Sequence, residues 1–147
     1  MTPQQQLDEF IDRFTPEVAA QARRALAAVG ERLPGATRLV YDNYNALAIA
    51  FGPDDKARAA VCSVALYPRW VSLFLVGGQD LSDPAGLLEG GGGTMRHVKL
   101  TGDRLDDPAL WALLDAAAAG ASRPIDPAGQ ERLIIKSISA KQRRRRP

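Results

Sequence analysis

The side chains able to do chemistry fall in three short segments. Val40-Tyr41-Asp42-Asn43-Tyr44-Asn45-Ala46-Leu47 interleaves phenols and amides with residues of strand type. Tyr67-Pro68-Arg69-Trp70 and Thr94-Met95-Arg96-His97 follow downstream. All three tyrosines of the chain lie in these segments, beside a tryptophan and two arginines. Such groups are at once apolar and hydrogen-bonding, the mixture that a recessed site uses to hold and orient a small guest. Tyr41, Asn43, Tyr44, Asn45, Tyr67, Arg69, Trp70 and Arg96 are therefore the candidate ligand contacts, and the guest they suit is a small anionic or polar molecule.

Local geometry constrains how these residues can meet. In a straight strand, positions 41, 43 and 45 share one face and 44 lies on the other. Asparagine is poor in strand interiors, so a bulge or tight turn is expected at Asn43–Asn45. A plain hairpin turn with tyrosines at the core margin accounts for the same residues. Arg69 can stack on a ring or fork onto a carboxylate or phosphate, or simply be a solvated turn residue. Arg96 shares the strand face of Val98 and Leu100, and a guanidinium bordering an apolar face needs an anion or a carbonyl partner. It is the strongest single ligand contact in the sequence.

Catalytic constellations are scarce, and the chain reads as a binder rather than an enzyme. Cys62 lies between Val61 and Ser63-Val64 in a strand-like run and reads as a buried, inert thiol. One histidine and one cysteine cannot build a His/Cys zinc or iron–sulfur site. A bound metal would need carboxylates, which suit hard cations and iron. Asp8, Glu9 and Asp12 on the first helix are the candidates, with 8 and 12 one turn apart. Gly90 to Gly93 followed by Thr94 lacks the spacing and the following helix of a phosphate loop. Those glycines suit a flexible lid or a close backbone approach.

Two helices must open the fold. Thr2-Pro3 and Thr15-Pro16 are start signals, and Leu7, Phe10, Ile11 and Phe14, then Val18, Ala22, Leu26, Val29 and Leu33, recur at helical spacing. Pro34-Gly35 ends the second stripe. Strands are expected near Val40–Tyr41, Leu47–Phe51, Val61–Tyr67, Trp70–Val76 and Met95–Leu100. A last helix runs from Pro108, carries Leu110, Leu113, Leu114 and Ala117, and stops at Gly120. This order predicts an α+β fold: an antiparallel sheet of about five strands with helices on one face, a two-layer sandwich.

Residues 1–121 read as the domain, and residues 122–147 as a linker, an apolar arm (Leu133, Ile134, Ile135, Ile138) and a basic tail. The arm is expected to dock as a strand or extended segment. The 147 residues suffice for one domain with a real core, and a 46% hydrophobic, 24% charged composition is that of an ordinary globular protein. No apolar run has the length to span a bilayer, so no membrane partner is expected. The start lacks a basic stretch before an apolar one, and the single cysteine cannot form an internal disulfide; both lead to the expectation of a cytoplasmic protein.

The net charge of +2 conceals a division. Six of the 19 bases lie in residues 136–147, which hold no acid, so residues 1–135 carry 13 bases against 17 acids, a balance of −4. Arg143, Arg144, Arg145 and Arg146 are expected to be disordered by self-repulsion. Such a run either aids solubility or contacts nucleic acid weakly, with steep salt dependence and no sequence reading.

Pro34-Gly35-Ala36, Tyr41 through Ala46, Leu66-Tyr67-Pro68, the glycine loop and Thr94-Met95-Arg96 occur in an order that resembles the DUF1801, or YdhG-like, family, over roughly residues 5 to 120. Tyr41-Asp42-Asn43-Tyr44 stands where the commoner pattern has a Tyr-Gly-Met-Pro-like tetrapeptide, and Arg96-His97 where it has Arg-Phe. The resemblance implies a small α+β domain similar to frataxin. It also implies an alternative function, since some members are described as intracellular iron chaperones; the matching iron surface here would be Asp8, Glu9 and Asp12.

Overall fold

The computed structural model describes residues 1–147. Helices α1 (Pro3–Asp12) and α2 (Pro16–Arg32) begin where the Thr-Pro pairs place them. Thr2 Oγ1 accepts from the Gln5 N–H at 3.1 Å while Gln5 Oε1 accepts from the Thr2 N–H at 2.8 Å, a reciprocal cap. Thr15 Oγ1 accepts from the Val18 N–H at 3.3 Å. In each helix proline fills the first position, where no intrahelical donor is missed. α1 buries Leu7, Phe10 and Ile11, and α2 buries Val18, Ala19, Ala22, Ala25 and Val29. α3 (Pro108–Ala119) starts on the Asp107 cap and buries Leu110, Leu113, Leu114 and Ala117.

Six strands form one mixed sheet in the order β5-β4-β3-β2-β1-β6. β1 (Thr37–Asp42), β2 (Leu47–Gly52), β3 (Cys62–Leu66), β4 (Val71–Leu75) and β5 (Arg96–Lys99) are an antiparallel meander. β6 (Arg132–Ile138) then returns to lie parallel to β1. The sheet thus has one strand more than the five expected and is not purely antiparallel. The reason is the apolar run Leu133-Ile134-Ile135: Leu133 and Ile135 pack on the core, and the run closes the otherwise free edge of β1. A register slip opposite Val40/Tyr41 sets Ile135 beside Val40 and Ser137 beside Tyr41.

Strand alternation sorts the residues onto two unlike faces. Val40, Leu47, Ile49, Phe51, Val64, Leu66, Leu73, Leu75 and Val98 face the three helices and form the single core with them. The opposite face carries two rows of cross-strand neighbours, Tyr41–Ala48–Ala65–Ser72–Lys99 and Leu39–Ala50–Ser63–Phe74–His97. Its centre is built of alanine and serine.

The C-terminal residues overturn the expectation of a disordered tail. The Ser139 N–H donates to Asp42 O at 2.9 Å, Gln142 Nε2 to Asp42 O at 3.0 Å, and the Arg143 N–H to Tyr44 O at 2.9 Å. Arg145 is buried, with Nη2 2.9 Å from Asp42 Oδ1 and its guanidinium carbon 5.5 Å from the centre of the Phe14 ring. Arg146 Nε donates to Arg13 O at 3.0 Å, at the C-terminal end of α1. Self-repulsion among four exposed arginines is weak in water. The need of a buried carboxylate for a cation far outweighs it, and Asp42 is 1% exposed.

Candidate functional site

Two hairpins end side by side. The Asn43 N–H donates to Ala46 O at 3.0 Å and closes the β1–β2 turn; the Tyr67 N–H donates to Trp70 O at 2.9 Å and closes the β3–β4 turn. Both lie at one end of the sheet, because Leu47 pairs with Leu66 and Leu66 with Val71. The expected turn at Asn43–Asn45 is therefore a tight hairpin turn; the only register slip of β1 is toward β6.

From this end a trough of about 590 Å³ runs across the uncovered face. Ala48, Ser63 and Ala65 are its floor, Asn43, Tyr44, Asn45 and Ala46 its hairpin end, and Tyr67, Phe74 and Met95 its taller side; Ser139 of the C-terminal segment joins them. The depression arises from side-chain height alone. Short residues on β2 and β3 are flanked by rings on β4 and at the β3–β4 turn.

The rings are braced. Tyr67 and Trp70 stack at 4.8 Å with planes 18° apart, and Phe74 lies 4.9 Å from His97. Lys99 Nζ sits 4.8 Å from the centre of the Trp70 ring, and the Arg143 guanidinium carbon 5.6 Å from that of Tyr44. No lining residue of the trough is acidic. Burial holds the Tyr67 phenol above its ordinary 10.0, so at neutral pH it is a neutral donor and acceptor.

Four of the eight residues singled out in the sequence, Asn43, Tyr44, Asn45 and Tyr67, line this trough together. Trp70 stands behind Tyr67 as its stacking partner. Tyr41 lies on the same sheet face by register, but its hydroxyl is shut in without a partner, and burial raises its pKa. Arg69 is exposed and borders a separate groove of about 330 Å³ against α2, with Glu17, Gln21, Arg24 and Trp70.

Arg96 does not join them. It pairs with Leu75, so it lies on the sheet face opposite the phenols. Its Nη1 donates to Met95 O at 2.9 Å and to Gly93 O at 3.3 Å. The carbonyl partner that a guanidinium beside an apolar face requires is supplied by the glycine loop, not by a guest. That loop is tied down at its start, where the Glu89 and His97 backbones exchange hydrogen bonds at 2.8 and 3.0 Å.

Sequence reasoning missed Phe74, Met95 and the small floor residues. Their signal was present: in Cys62-Ser63-Val64-Ala65-Leu66 every second residue is small, which marks an uncovered face shaped for close approach. Arg143 was named only as part of the basic tail; that it lies over Tyr44 depends on where the chain end docks.

Two of the three candidate carboxylates of α1, Asp8 and Asp12, face one base. Arg23 Nη2 is 2.9 Å from Asp12 Oδ1 and 4.0 Å from Asp8 Oδ1. No group of three or more His, Cys, Asp or Glu side chains is arranged to hold a metal ion. Cys62 is wholly buried, and its thiol is pushed up to about 12 by desolvation, so it is no nucleophile near neutral pH. No helix is long and apolar enough to cross a membrane. Comparison of the chain with protein-family models, curated proteins and solved structures found no match.

Proposed function

We propose that the protein is a non-enzymatic binding domain that seats a small polar or anionic ligand in the trough on the open face of its sheet. One observation carries this reading: amide and phenol groups distant in the chain, with Phe74 and Met95, converge around a floor of alanine and serine. A volume of about 590 Å³ is that of a pocket for a small organic molecule. The YdhG-like, frataxin-like resemblance belongs to the same proposal and rests on the order of the motifs. The iron-carrying alternative, through Asp8, Glu9 and Asp12, would require a cation to displace Arg23 from Asp12. Nucleic-acid contact through the C-terminal arginines would have to do without Arg145, which is buried on Asp42.

The test is a thermal-shift survey of metabolites, followed by Ala48→Phe. A ligand at a hundred times its Kd stabilises by about 2.7 kcal/mol, or roughly 5–10 °C in a domain of this size. Phenylalanine at 48, a half-buried floor position on the face away from the core, fills the trough and abolishes that shift while the protein remains folded. A shift that survives the substitution refutes the assignment of the trough.

A further inference from the structure

The charge of the uncovered face differs from that of the molecule. Residues 1–135 balance to −4, yet no outward-facing position in the two rows across β1 to β5 is an aspartate or glutamate. The bases present there lie on aromatic rings: Lys99 on Trp70, His97 against Phe74, and Arg143 on Tyr44. Lys99 and Arg143 have no acidic partner, whereas Arg13 and Arg145 of the same region both pair with Asp42.

Exposed rings in an acid-free hollow could in principle attract a cationic guest. Here Arg143 already lies over Tyr44, and Lys99 over Trp70 behind Tyr67, and both repel one. What remains favourable is an apolar, planar body resting along Tyr67 and Phe74, with negative charge directed to the rim.

From this we infer that the ligand is a planar aromatic anion, a ring bearing a carboxylate or a phosphate, and that Arg143 is the residue that recognises its charge. The inference rests on the trough being a ligand site. Arg143 is suited to the role because its backbone is fastened: its own N–H is bonded to Tyr44 O, Gln142 Nε2 to Asp42 O, and Arg145 to both the Asp42 carboxylate and Asn43 O. The guanidinium is exposed, yet its root cannot leave the trough's hairpin end. With its guanidinium carbon 5.6 Å from the centre of the Tyr44 ring, it can offer a planar fork to two oxygens of one anion. The C-terminal segment is thus part of the site.

The experiment titrates the full chain with 4-hydroxybenzoate, phenyl phosphate and the neutral 4-hydroxybenzamide, following backbone amide shifts by NMR. A charge-assisted contact is expected to make the better anion at least about tenfold tighter than the amide, with shifts centred on Asn43–Ala46 and Tyr67. In Arg143→Gln the preference for the anion over the amide falls to within about twofold; Arg143→Lys, which keeps charge but not the fork, restores only part of it. The ratio of carboxylate to phosphate affinity in the native chain tells which anion the site suits. Equal binding of charged and neutral probes, or a preference that survives Arg143→Gln, overturns this inference and leaves the binding reading standing. No shift at the trough with any probe overturns both.

Discussion

Asp42 faces two guanidiniums, Arg145 Nη2 at 2.9 Å and Arg13 Nη1 at 3.5 Å. The pair with Arg145 is buried but incompletely satisfied: Asp42 Oδ2 and Arg145 Nε and Nη1 make no hydrogen bond. Such a pair adds little net stability, yet breaking one half is costly because the other charge stays buried. Arg145→Met is expected to lower the urea unfolding free energy by about 3–5 kcal/mol, and Asp42→Leu/Arg145→Met to recover most of that loss. Equal losses in the single and double variants would mean that the pair itself stabilises the fold. At this scale the sequence was half legible. Tyr44, Asn45 and Tyr67 announce themselves by type and spacing. Nothing within the run Arg143 to Arg146 distinguishes the arginine that becomes buried from those that stay in water.

The elements were the most legible part. Thr-Pro starts, helical stripes and two-residue hairpin tips act over a few residues, so their energetics do not wait for the fold. Gly35 shows where that locality ends. It lies two residues past the Leu33 cap of α2, with φ of +80°. It also lies against the 126–129 turn, so that a Cβ would run into the Asp126 carbonyl oxygen, and its N–H donates to Glu131 Oε2 at 3.1 Å. Gly35→Ala is expected to cost at least about 2 kcal/mol by chemical denaturation, through left-handed strain together with a displaced loop leading into β6. A cost near zero would show that this turn yields freely. β6 itself was expected as a docked strand or extended arm. Its parallel pairing with β1 could not be read from its own residues, because an apolar run fits either direction and either edge.

Over the whole molecule, three helices cover one sheet face and leave the other to shape a site. Buried titratable groups tie this packing to pH. Burial lifts the Cys62 thiol from 9.0 to about 12 and raises the phenols of Tyr41 and Tyr67 above 10.0. A raised acid pKa means that above the unfolded value the unfolded chain releases protons that the native one keeps. Stability is therefore expected to fall as pH climbs from about 9 toward 12, with Cys62 contributing up to about 1.4 kcal/mol per pH unit. Urea unfolding of Cys62→Ala across that range should show a correspondingly shallower decline; an unchanged slope would locate the alkaline loss elsewhere. The sequence by itself determined the α+β class, the helix limits, the turns and the residue types of the site, because these follow from interactions between near neighbours. Tertiary structure alone decided that β6 lies parallel to β1, that Arg96 satisfies itself on a glycine loop, and that a chain end joins the trough. Those outcomes depend on pairings such as Asp42 with Arg145, 103 positions apart, where burial against distant partners sets the energy and local pattern carries no trace of it.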